Sequence, residues 1–127
     1  MSAVTCYGID MYDPRTSLKA EAAEDIGMGE SVRISTDGKA YLVDNGKSDV
    51  MHGVALKATS SGDKVTIVTQ ARLHLATTQT IGARIYTGGV SGGSAPSTTL
   101  SATGVVCGFA ISANTVYVNV PTPAANG

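Results

Sequence analysis

The sequence has no tryptophan, one phenylalanine (Phe109), two cysteines and few charges. Each shortage removes a class of explanation. Charged residues make up 15% of the 127 positions and the net charge is −1, where an average soluble domain has about a quarter of its residues charged. The nine basic residues are scattered. The clustered Lys and Arg of a phosphate-binding surface are therefore missing, and nucleic acid is not expected as a partner. Without Trp and with one Phe, a stacking groove for single strands or sugars is poorly supplied, although five tyrosines leave sugar binding open. No apolar run is long enough to span a bilayer, so no membrane partner is expected. The opening MSAVTCYGIDMYDPR lacks a basic start followed by an apolar block, which argues against a secretory leader. Cys6 and Cys107 lie far apart in sequence, and two cysteines do not make a disulfide framework. Two free thiols in a reducing cytoplasm are the expectation.

Chemistry is equally sparse. His52 and His74 are the only histidines. His74 falls on the polar face of its strand and reads as a surface residue. His52 and Cys107 take matching places in two similar stretches. A Cys–His pair is one way to build a nucleophile and its base, but no acidic residue is placed by motif to orient the imidazole. No catalytic residue is assigned. Zinc spacing is absent, and Asp10, Asp13, Glu21, Glu24 and Asp25 do not follow a calcium-loop pattern. GMG and GGVSGG are not phosphate loops, because neither GxxxxGK[ST] nor GxGxxG occurs. No metal and no cofactor is expected.

What is present is β grammar. Gly, Thr, Ser, Ala and Val are plentiful, a composition that favours strands. In SVRIS, Val32 and Ile34 alternate with Ser31, Arg33 and Ser35, the period of a half-buried strand. TDG turns the chain and KAYLV resumes, so 31–43 reads as a hairpin. MHGVALKA follows, then the turn SSGD. KVTIVTQARLHL reads as one long strand with Val65, Ile67, Ala71, Leu73 and Leu75 on one face. The order then recurs. IGARIYT (81–87) matches GESVRIS (29–35), and VVCGFAIS (105–112) matches VMHGVALK (50–57), most closely at Gly53-Val54-Ala55-Leu56 and Gly108-Phe109-Ala110-Ile111. Val105, Cys107, Phe109 and Ile111 read as one apolar, inward face. A glycine inside a strand marks a bend or a close backbone approach. TVYVNV closes the series, with Val116, Val118 and Val120 opposite Thr115, Tyr117 and Asn119. GGVSGGSAPSTT (88–99) has no period and reads as a flexible loop. The expected fold is all-β: a small barrel or sandwich of short antiparallel strands with internal duplication. An extended N-terminal arm over 1–25 precedes the β domain at 26–120, and PTPAANG (121–127) forms a tail. Within the arm SLKAEAAED (17–25) has helix-forming composition, with Ser17 placed to cap a short helix.

The stretches GESVRISTDGKAYLVDNG, MHGVALKATSSGDKVTIVTQ, IGARIYTGGVSGGSAPSTT and GVVCGFAISANTVYVNV together resemble the small head decoration, or cement, proteins of tailed bacteriophages and related virion β-domains. The resemblance covers about residues 26–120 and rests on turn grammar rather than chemistry. It implies a non-enzymatic protein, made in the bacterial host cytoplasm, that sits on the outer surface of an expanded icosahedral capsid. There it would bind the major capsid protein as a homodimer or homotrimer and hold neighbouring capsid subunits together. On this view residues 2–16 form the contact arm, Tyr7, Ile9, Met11 and Tyr12 are its anchors, and the loop 88–99 points to solvent. The alternative for the arm is an ordinary edge strand. The alternatives for the whole are a tail or fibre domain and a ligand- or carbohydrate-binding β-barrel.

Overall fold

The structure is a computed structural model and describes residues 5–11, 17–43, 52–86, 95–96 and 106–120. These residues form ten strands: β1 (Cys6–Met11), β2 (Ser17–Glu21), β3 (Ser31–Ile34), β4 (Ala40–Leu42), β5 (Gly53–Ala55), β6 (Lys64–Val68), β7 (Gln70–Leu75), β8 (Arg84–Tyr86), β9 (Val106–Ala110) and β10 (Thr115–Asn119). They make two antiparallel sheets. Sheet A runs β1-β7-β10-β9-β8 and sheet B runs β2-β6-β5-β3-β4. The fold is all-β and, of the two expected forms, a sandwich: neither sheet closes into a barrel. Sheet B comes near to closing. Ala22, one residue past β2, bridges to Ala40 in β4, and the Ala23 N–H donates to the Ala40 carbonyl at 2.9 Å. Its two edges therefore touch at one point.

Several expectations are corrected. The segment 17–25 does not form a helix. Residues 17–21 are a strand, with Leu18 opposite Ile67 and Ala20 opposite Val65; sheet pairing overrides the weak local preference. Nor do residues 6–11 form a free arm, since β1 pairs with β7 along its length. Strands from both sides of position 26 thus share each sheet. KVTIVTQARLHL is two strands, not one. It breaks at Thr69 and passes from β6 in sheet B to β7 in sheet A. The loop 88–99 lies mostly outside the described residues, but Ala95 within it is buried in the core rather than turned to solvent. The tail 121–127 lies outside the described residues.

The internal repeat is present in the topology. β2-β6-β5-β3 in sheet B and β7-β10-β9-β8 in sheet A are the same arrangement, with the first strand of each set beside the fourth, then the third, then the second. The hydrogen bonds match atom for atom. The Gly29 N–H donates to the Ala55 carbonyl at 2.7 Å, and the Gly82 N–H to the Ala110 carbonyl at 2.8 Å. The Leu56 N–H donates to Thr66 at 2.9 Å, and the Ile111 N–H to Thr115 at 2.8 Å. Gly29 and Gly82 have the same left-handed backbone, with φ of 77° and 80°. These pairs align Gly29 with Gly82, one residue later than the sequence match of 29–35 with 81–87. β4 and β1 are additions, β4 beyond β3 and β1 beyond β7.

The glycines of the repeat occupy the tightest points. A Cβ at Gly53 would come within 2.6 Å of the Val68 carbonyl oxygen. A Cβ at Gly108 would overlap the carbonyl oxygen of Tyr117, the residue equivalent to Val68. Two apolar clusters follow from this layout. One fills the inside of sheet B with Ala20, Ala22, Ile26, Val32, Ala40, Leu42, Ala55, Val65 and Ile67. The other lies between the sheets, where Val43, Val54 and Val68 meet Leu73, Leu75, Ile85, Val116 and Val118 of sheet A. No aromatic side chain is among the buried hydrophobic residues described.

Gly53→Ala and Gly108→Ala are each expected to cost roughly 2–4 kcal/mol of unfolding free energy. Gly62→Ala, in a turn at φ 92° with no atom near the added carbon, should cost about 1 kcal/mol. Urea denaturation of the three variants measures the ordering.

Candidate functional site

The two repeats differ in what covers one face. In sheet B a single cross-strand row reads Ser17, Val68, Val54, Ser31. Val54, Val68 and Ser31 are fully buried, the two valines beneath sheet A. The equivalent row in sheet A reads Arg72, Tyr117, Phe109, Arg84, and β1 extends it with Asp10 opposite Arg72. This row faces outward. Phe109 is 48% exposed, although its counterpart Val54 is wholly buried. Small residues thus stand where the protein's own second sheet covers the row, and Arg, Tyr, Phe and Arg stand where none of the described residues does.

The side chains on this face are held in place. Phe109 and Tyr117 pack with ring centroids 5.4 Å apart at 47°, a tilted pairing that aromatic quadrupoles favour. Gln70 Nε2 donates to the Tyr117 hydroxyl at 2.6 Å. Asp10 Oδ2 lies 3.6 Å from Arg72 Nε and 3.1 Å from His74 Nε2. The hydrogen bond with His74, then the charges of His74 and Arg72, hold the Asp10 carboxyl below its usual range. Tyr7 sits 6.1 Å from His74, ring to ring, and is 63% exposed. It is the extra residue of a β-bulge, since Cys6 pairs with Leu75 and Gly8 with His74. The bulge sends Cys6 inward and Tyr7 outward. No lysine occurs in the strands of sheet A, whereas Lys19 and Lys64 lie in the strands of sheet B. Tyr and Arg are enriched and Lys depleted where proteins meet proteins.

The expected anchors are only partly brought together. Tyr7 is on the outer face. Ile9 turns inward and packs against the core between the sheets, so it secures β1 instead of reaching outward. Met11 pairs with Ala71 at the end of β1, and Tyr12 lies outside the described residues. Phe109 was expected on an inward face with Val105, Cys107 and Ile111. In fact Cys107 is buried while Phe109 and Ile111 are exposed. The β8–β9 register skips a residue between Gly108 and Val106, and that irregularity breaks the alternation. Phe109, Tyr117, Arg72 and Arg84 were missed as a group. Their signal was the replacement of Val54 by Phe109 at matched positions of the repeat.

His52 and Cys107 do occupy equivalent positions, each just before the repeat glycine, but they do not form a nucleophile and base. Burial pushes the Cys107 thiol up to about 12, so it stays neutral. His52 Nδ1 accepts the Ile34 N–H at 3.0 Å, which engages the imidazole in the β3–β5 seam. Cys6 and Cys107 are free thiols. His74 stands between Asp10 and Thr115, with Nδ1 3.4 Å from the Thr115 hydroxyl. The order carboxylate, imidazole, hydroxyl lies on an open sheet face, and it fixes side chains across β1, β7 and β10. Among the described residues no three His, Cys, Asp or Glu side chains converge as metal ligands would. An open groove beside Asp25, Ile26 and Glu30 has its carboxylates occupied, Asp25 by the Ser61 N–H and Glu30 by the Gly27 N–H. The chain matches no known family model and no curated protein sequence.

Two outcomes follow. Phe109→Ser and Tyr7→Ser should change unfolding free energy by less than about 1 kcal/mol, while Val54→Ser, the counterpart of Phe109→Ser, should cost roughly 2–4 kcal/mol. Urea midpoints distinguish them. Burial also lowers the His52 pKa below its ordinary 6.5. The neutral form is favoured in the folded state, so this contribution is complete above pH 6.5 and is lost as pH falls through the lowered value. Melting temperatures should therefore drop as pH falls below about 6.5, and drop less in His52→Asn, whose side chain does not titrate.

Proposed function

We propose that this protein is a non-enzymatic structural component of a virion. In this reading it is a decoration protein that sits on the outside of an expanded icosahedral phage capsid and adds contacts between major capsid subunits. The observation that carries the reading is the exposed row Arg72-Tyr117-Phe109-Arg84, set where the first repeat has Ser17-Val68-Val54-Ser31. Within this chain that position on a repeat is where a second sheet packs. In the second repeat it carries the residue types that dominate protein interfaces. The strand-and-turn resemblance to phage head decoration proteins supports the same conclusion, and supplies the capsid as the shell concerned.

The mechanism would be added contact area multiplied by symmetry. Each copy contributes a modest interface, and many copies tied to one shell act together. Tyr7 lies at the rim of the exposed face, on a strand whose outer edge is unpaired among the described residues. That edge offers backbone hydrogen bonds to a neighbouring chain.

The test is co-sedimentation of the purified protein with expanded, undecorated phage shells. Saturation at a fixed ratio to capsid subunits is expected. A variant carrying Arg72→Ser, Tyr117→Val, Phe109→Val and Arg84→Ser puts the first repeat's own residues at the equivalent positions. It should remain folded and bind at least about 100-fold more weakly. Undiminished binding by the variant would remove the face from the mechanism, and failure of the wild-type protein to bind any expanded shell would overturn the capsid reading in favour of a tail or fibre part.

A further inference from the structure

The exposed row of sheet A is ordered so that it complements itself. Across the five strands it reads Asp10, Arg72, Tyr117, Phe109, Arg84. β10, which carries Tyr117, is the middle strand. A two-fold axis laid along β10 keeps each residue at its own level and exchanges the two sides of the sheet. Asp10 then meets Arg84 of a second copy, Arg72 meets Phe109, and Tyr117 meets Tyr117. Every pair is favourable: opposite charges, a guanidinium over an aromatic ring, and two aromatic rings. Moving the axis between Tyr117 and Phe109 would instead set Arg72 against Arg84, two like charges. Only the register centred on β10 pairs Asp10 with Arg84.

We infer that this face is the contact of a symmetric homodimer, in which sheet A of one copy packs on sheet A of another. The inference rests on the reading of this face as a docking surface, and it names the occupant. Three further observations support it. First, the two groups that would form the new ion pair have capacity for it. Both contacts of the Asp10 carboxylate with described residues use Oδ2, and none of the described residues holds Oδ1. Arg84 has no ion-pair or hydrogen-bond partner among the described residues, and it lies at the far edge of the sheet. Second, Val54 and Val68, the first repeat's counterparts of Phe109 and Tyr117, already pack against another sheet. Sheet-on-sheet packing is thus the established use of this face. Third, the size fits a reversible dimer. Five strands about 4.8 Å apart and about five residues long present on the order of 400 Å² per copy. That is about half the area a standard interface buries per partner, so a weak dimer that forms only as concentration rises is expected.

The experiment is sedimentation velocity over a concentration series with the wild-type chain, Asp10→Lys, Arg84→Glu, and an equimolar mixture of the two variants. Both positions are exposed, and circular dichroism checks that each variant folds. The wild type should pass from monomer to dimer as concentration rises. Each variant alone opposes like charges twice across the axis and should dimerise at least about tenfold more weakly. In the mixture Lys meets Glu and Asp meets Arg, so dimer should return. A wild type that stays monomeric at all concentrations would overturn the proposal, as would variants that dimerise normally or a mixture that stays monomeric. The capsid reading fails separately. Shell binding by a strictly monomeric wild type would mean that the face engages the shell directly, whereas a dimer that binds no shell would keep this inference and remove the capsid.

Discussion

Two points of backbone contact govern this molecule. At Gly53 and at Gly108 a strand lies so close to the next that no side chain fits between them, and the carbonyl that occupies the space belongs to equivalent residues, Val68 and Tyr117. Because the approach is the same in both halves, the strands on either side take the same register. The residues that follow, Val54 with Val68 and Phe109 with Tyr117, then point the same way relative to their own sheets. One backbone rule, used twice, thus produces two faces of identical geometry. Which is buried and which is open depends on the order in which the sheets stack.

The core is aliphatic: the buried hydrophobic residues described are Val, Ile, Leu, Ala and Cys. The few aromatics are spent elsewhere. Tyr7, Tyr86, Phe109 and Tyr117 all lie in strands of sheet A, and Tyr7 and Phe109 are well exposed. A ring in water forgoes a contribution of about 1.5–3 kcal/mol that its burial would have made. Setting several rings on one side of a protein with only six aromatic residues is costly for the isolated chain and sensible for one that is covered in use.

Much of the fold was legible in the sequence. The hairpin at 31–43, the SSGD turn, the Val116-Val118 face and the presence of a repeat are all there, because each depends on neighbours within a few residues. What escaped depended on distant partners. Val65, Ile67, Ala71, Leu73 and Leu75 keep an unbroken period of two across Thr69, so nothing in the alternation marks the passage from one sheet to the other. Ser17 to Glu21 is composed like a helix and is held as a strand by β6. The register irregularity next to Cys107 turns Phe109 from inside to outside, and a one-residue slip exchanges the faces of a strand. The candidate site was hidden for the same reason. Arg72, Tyr117, Phe109 and Arg84 are scattered along the chain and meet only when four strands are laid side by side.

The near-closure of sheet B at Ala22 and Ala40 has a meaning for assembly. A duplicated sheet with an adhesive side at each end would stack head to tail without limit, because every added copy would offer a fresh end. Here the inner side of sheet B is filled by its own residues, Ile26 among them, and its two edges touch. If sheet A docks as proposed, the molecule would have one docking end and one filled end, and an assembly joined through sheet A alone would come to a finite size.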